Sequence, residues 1–197
     1  LILVILVLGF SYEEVSRRSD ANMFKAPGEF VSINENTKLH LNCTGEGATT
    51  IILDAGMGDF SYSWSLVQPE VSKFAKVCGY DRAGLAFSDT INSERNSENV
   101  VSELIQLLDA KQIEKFIYVA HSKSGLTALK LASEHSNRVL GLVLVDPTTN
   151  TDINYQLSLL TDLEQKDFKE KNNNPFININ EERELLETQS RAQLESI

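Results

Sequence analysis

The run Phe116–Ala120 is apolar throughout and stops abruptly at His121-Ser122-Lys123-Ser124-Gly125, after which Leu126 to Glu134 has a helical pattern. A strand that turns at once into a helix through small residues is an elbow, and it lifts one hydroxyl clear of the backbone. Ser122 is therefore a candidate nucleophile. A free serine hydroxyl reacts poorly, so the role also demands a base and an oxyanion site. The ordinary alternative for Ser122 is a helix N-cap, a role serine often fills.

The same alternation runs through the middle of the chain. Phe30–Ile33 and Lys38–Cys43 read as a hairpin around Asn34-Glu35-Asn36, and Thr50–Leu53 as a short strand entering Asp54-Ala55-Gly56-Met57-Gly58. Trp64 to Lys73 is expected to be helical and Phe74–Tyr80 a strand ending in Asp81-Arg82-Ala83-Gly84. From Ser97 a helix aligns Val100, Val101, Leu104, Ile105 and Leu108 on one face. Val139–Val145 is a further strand, closed by Asp146-Pro147. Near-continuous apolar strands between helices predict an α/β fold, a mostly parallel sheet covered on both faces. Ligands of such sheets bind at the carboxyl ends of the strands, where the loops at Gly56, Asp81, Ser122 and Asp146 all lie.

The flanks differ from this core. Residues 1–24 open with eight consecutive Leu, Ile or Val residues, too short a run to cross a bilayer alone. They are expected to be the tail of a signal sequence or membrane anchor, followed by a linker. Residues 25–150 form the core. Residues 151–197 are polar, acidic and Asn-rich, and are expected to be a helical lid. The net charge of −10 and the lack of a basic stripe argue against nucleic acid as a partner. Cys43 and Cys78 stand in no metal-type spacing, and the expectation is two small buried hydrophobes. No metal or other cofactor is called for.

Four segments together resemble the α/β-hydrolase superfamily, in its esterase-like and lipase-like members. They are Leu39–Gly45, Asp54–Gly58, Tyr80–Asp89, and His121–Gly125 followed by Leu142–Asp146. The apolar segment ahead of them is similar to that of membrane-anchored members. The resemblance implies a serine hydrolase acting on an ester, thioester or amide of a small acyl substrate. Ser122 would be its catalytic residue, and the backbone N–H groups of Met57 and Lys123 its oxyanion hole. Ala120 and Ser124 stand where the pattern G-x-S-x-G has glycines. Asp81 and Arg82 are implied to fix the turn beside the oxyanion loop.

The family's partners follow in the order Ser, acid, His, yet no histidine follows His135. His121 should face away from Ser122, His135 should be a surface residue, and His40 should lie on an early strand far from the rim. Asp146 is read as a strand-end residue outside the catalytic set. The expectation is therefore a fragment lacking the last strands of the sheet, inactive by itself. The rival reading is a complete, non-catalytic binding module on the same scaffold. Through the family's sheet, Cys43 and Cys78 are implied to lie at opposite edges, too far apart for a disulfide. The apolar start favours membrane association, with the domain outside the cytoplasm.

Overall fold

The computed structural model describes residues 2–23, 25–149, 161 and 164. The chain opens with helix α1 (Ile2–Met23), then strands β1 (Glu29–Ser32), β2 (Lys38–Thr44) and β3 (Thr50–Asp54). A 3-10 turn (Ser61–Trp64) and a single helical turn, α2 (Gln68–Val71), lead to β4 (Lys76–Tyr80). Helix α3 (Ser97–Ala110), β5 (Phe116–His121), α4 (Ser124–Glu134) and β6 (Val139–Val145) follow. The expected lid at 151–197 lies outside the described residues, apart from Thr161 and Glu164.

The six strands form one sheet in the order β1-β2-β4-β3-β5-β6. β1, β2 and β4 pair antiparallel, whereas β3 is parallel to β4 and β5, and β5 to β6. The expected mostly parallel sheet with cover on both faces is thus present. Alternation of side chains along each strand separates two cores. On one face Ile52, Cys78, Tyr80, Phe116 and Tyr118 pack with Leu104, Leu107 and Leu108 of α3 and Leu131 of α4. On the other, Leu53, Val77 and Val119 meet Trp64 and Val71.

Local chemistry explains the element ends. Asn36 N–H donates to the Asn34 side chain at 3.0 Å, and Ile33 N–H to Thr37 O, closing the β1–β2 hairpin. Asn96 caps α3 by accepting from Asn99 N–H at 2.9 Å. The expected helix over 64–73 is instead a 3-10 turn and a separate short helix with Pro69 in its first turn. Proline has no N–H to give to a preceding turn, so the helical register restarts there. Phe74 is exposed in the following turn, and β4 begins only at Lys76.

The cysteines require a correction. β2 runs antiparallel to β4 with Cys43 directly opposite Cys78, and the two form a disulfide with Cα atoms 4.0 Å apart. The opposite-edge expectation failed because antiparallel pairing brings the end of β2 back against the middle of β4. At the N-terminus, Ile2–Met23 form one helix, α1, over the segment expected to be an anchor tail and linker. Among the described residues, no helix is long and apolar enough to cross a membrane.

Candidate active site

Ser122 follows the last residue of β5 and precedes α4, with a backbone φ of +52°. That left-handed conformation costs a non-glycine residue about 1–3 kcal/mol, so the surroundings must hold it. Three backbone bonds do so. Ser122 N–H donates to Val145 O at 3.1 Å, and its carbonyl accepts from Gly125 N–H at 2.9 Å and Thr148 N–H at 2.8 Å. The elbow is therefore fastened to the end of β6. Gly125 permits this closeness, since a methyl group there would lie 2.7 Å from Pro147 Cβ and 2.8 Å from Thr148 O.

The loop after β3 passes directly beside this serine. A methyl group at Gly56 would stand 3.4 Å from Ser122 Cβ and 3.1 Å from His121 Nδ1. Met57, the next residue, is partly exposed, and its N–H has no hydrogen-bond acceptor among the described residues. Lys123 lies at the start of α4 in helical conformation. Backbone N–H groups at the start of a helix lack intrahelical acceptors and carry the positive end of its dipole.

Beneath the loop is a buried polar cluster that the pattern of apolar runs does not reveal. Asp54, Tyr80 and Tyr118 project from the same face of neighbouring strands, so both tyrosine hydroxyls donate to Asp54 Oδ2, that of Tyr80 at 2.9 Å. Burial, and then the adjacent Asp54 carboxylate, push both phenols well above their ordinary range, so they remain protonated donors. Asp54 Oδ1 accepts from Arg82 Nη1 at 2.6 Å. The same Nη1 reaches Ala55 O at 2.7 Å and Ser124 Oγ at 2.8 Å, while Nη2 donates to Gly56 O. Ser124 Oγ donates in turn to Ala55 O. In the sequence the cluster shows as an acidic residue at the end of one strand and a charged residue just past the end of the next, beside the role at this turn that the resemblance implied for Arg82.

Asp81 makes a second buried pair. Its Oδ2 lies 2.9 Å from His40 Nδ1, both side chains being fully buried, and His40 Nε2 bonds Pro27 O. Asp81 Oδ1 also accepts from Ser61 N–H at 2.8 Å, and Oδ2 accepts from Phe87 N–H at 3.3 Å. Burial pulls the His40 imidazole down, but its bonds to Asp81 and Pro27 outweigh that and leave it raised. Burial likewise opposes the Asp81 charge, yet the bonds from His40 and Ser61 leave the carboxyl lowered. The expectation that His40 lies far from the rim is corrected. Antiparallel β2 sets Leu41 opposite Tyr80, which brings His40 to the rim end of β4.

No histidine of the described residues is poised as a base for Ser122. Both ring nitrogens of His40 are engaged. His121 packs edge-on against Trp64, with ring centroids 6.4 Å apart. His135 caps the far end of α4, ahead of β6. Asp146 follows β6 and is exposed, with φ of +44°.

Comparison with known proteins agrees with this architecture. The family model described as alpha/beta hydrolase fold matches residues 49–194. A 2-hydroxy-6-oxononadienedioate/2-hydroxy-6-oxononatrienedioate hydrolase of Comamonas testosteroni is 33% identical over 129 residues, covering 60% of this chain and 44% of that protein. Among solved structures, a meta-cleavage product hydrolase from Pseudomonas fluorescens superposes with a TM-score of 0.58 at 29% identity, over 62% of this chain and 46% of the other. An enol-lactonase from Burkholderia xenovorans gives 0.54 at 25% identity, over 58% and 45%. The chain thus spans under half the length of these relatives. With the sheet order, the elbow and the family match in agreement, the chain belongs to the α/β-hydrolase fold family.

Proposed function

We propose that the protein is a serine hydrolase that opens an ester, thioester or amide of a small acyl substrate. The observation that carries this reading is Ser122 at φ +52° in a strand-to-helix turn, with the Gly56 loop against it. A serine held this way presents its hydroxyl at the rim, and strained backbone concentrates where geometry is tied to chemistry. In the reaction, Ser122 Oγ bonds to the carbonyl carbon and its proton passes to a general base. The carbonyl oxygen takes up negative charge, held by Met57 N–H and Lys123 N–H. Collapse breaks the bond to the leaving group, which receives the proton, and water then releases the acyl group by the same route.

The relatives are named as hydrolases of 2-hydroxy-6-oxo dienedioates and an enol-lactonase, which supports a carbonyl compound as substrate. The reading requires a histidine and an acid that the described residues do not place beside Ser122, so the isolated chain is expected to show no turnover. The Cys43–Cys78 bridge supports a site of action outside the cytoplasm, since disulfides persist in oxidising compartments.

The test is covalent labelling of the full-length protein with a fluorophosphonate, with Ser122→Ala as control. An adduct on Ser122 that the variant lacks is the expected result. A wild type that stays unlabelled while folded would overturn the reading in favour of a non-catalytic binding module.

A further inference from the structure

The guanidinium of Arg82 bonds both the loop after β3, read here as the oxyanion loop, and the elbow helix. It reaches the carbonyl oxygens of Ala55 and Gly56 in the loop and Ser124 Oγ in the first turn of α4. Its own position is fixed from behind by Asp54, which Tyr80 and Tyr118 hold in turn.

The consequence follows from peptide geometry. The Gly56 carbonyl and the Met57 N–H belong to one planar trans peptide, so they point in opposite directions. A bond from Arg82 to Gly56 O therefore helps to fix where the Met57 N–H points, namely away from the guanidinium. Glycine at 56 has no side chain to restrict this peptide, so its orientation comes from the donors on its carbonyl, Asp59 N–H at 3.2 Å within the loop and Arg82 from below. A cation on the carbonyl oxygen also polarises the amide and strengthens its N–H as a donor.

Ser124 completes the arrangement. It occupies a position where the family pattern has glycine, and its hydroxyl accepts from Arg82 while donating to Ala55 O. The loop and the elbow helix are thereby joined through one buried hydroxyl, 1% exposed.

We propose that Arg82 and Ser124 act as a positioning clamp that sets the Met57 N–H for the developing oxyanion. The proposal rests on the reading of Ser122 as the nucleophile, and it makes Arg82 a positioning residue that does not touch the substrate.

The experiment compares p-nitrophenyl acetate with its thionoester analogue, in which sulfur replaces the carbonyl oxygen. Sulfur is a weak hydrogen-bond acceptor, so an oxyanion hole favours the oxygen ester far more than the thionoester. The full-length wild type should show a large ratio of kcat/KM between the two. Losing one oxyanion donor typically lowers kcat by about 100-fold or more. Arg82→Met is expected to lower kcat for the oxygen ester by about that factor with KM little changed, and to collapse the ratio. Arg82→Lys, which keeps the charge, should recover part of it. Ser124→Gly restores the family residue and avoids a buried unpaired carboxylate at Asp54, so it serves if Arg82→Met fails to fold. Its ratio should fall several-fold. Equal losses on both esters, leaving the ratio at the wild-type value in Ser124→Gly and any folded Arg82 variant, would overturn the clamp while the nucleophile stands. A wild type that hydrolyses neither ester and takes no label at Ser122 overturns the parent reading, and the clamp with it.

Discussion

His40 and Asp81 are a fully buried pair whose members titrate in opposite senses. The imidazole is raised above 6.5, so the stability it adds is complete below that value and is lost as pH rises through the raised one. The carboxyl is lowered below 3.8, so its share is present above that value and disappears as pH falls through the lowered one. Between these limits the pair ties β2 to the loop after β4. Replacing His40 by Gln should therefore destabilise the protein more at about pH 5.5 than at about pH 9, as read from urea midpoints. Equal losses at both pH values would show that the charge is immaterial. At this scale the sequence was only partly informative. Ser122 and Gly56 could be picked out because small residues directly after an apolar run mark a tight turn at a strand end. The partners of His40 and Arg82 could not, because both depend on which strands are neighbours, and residues 40 and 81 are distant along the chain.

β4 is the strand on which the elements converge. It carries Cys78 in its middle and Asp81 and Arg82 just past its end, and it lies between β2 and β3. The Cys43–Cys78 bridge closes a sequence separation of 35 residues across the β2–β4 pair. On chain-entropy grounds a loop of that length contributes about 4 kcal/mol. Denaturant unfolding with and without reductant should show a loss of about 3–4 kcal/mol, with a matching loss for Cys43→Ser/Cys78→Ser. An unchanged midpoint in reductant would mean that the bridge constrains nothing. The strands and α3 were legible because apolar runs and a one-sided apolar face have distinct periods. The segment 64–73 was not, since Pro69 divides it into two short turns with a helical average. The disulfide was missed for a third reason. Its geometry depends on the register in which β2 meets β4, Cys43 opposite the middle residue of β4, and residue spacing carries no record of register.

Across the whole molecule, the sheet and α1 present different surfaces. Val4, Ile5, Leu6, Val7 and Leu8 are all more than half exposed, and five successive helical residues point in every direction around the axis. An apolar surface on all sides suits an acyl-chain boundary better than a one-sided protein groove. We expect the protein to co-sediment with phosphatidylcholine vesicles and to lose this on deletion of residues 1–24. Equal amounts of both forms in the pellet would refute membrane association. At the other end of the described fold, β6 pairs only with β5, and Leu140, Val143, Leu144 and Val145 remain exposed. That strand also supplies Val145 O to Ser122 N–H, and the loop after it supplies Thr148 N–H to Ser122 O. The backbone conformation of Ser122 therefore depends on β6 being in place. A chain in which β1 to β5 have formed but β6 has not docked contains the serine without its strained backbone. If Ser122 is the nucleophile proposed above, its reactivity toward a phosphonate during refolding would report the docking of β6.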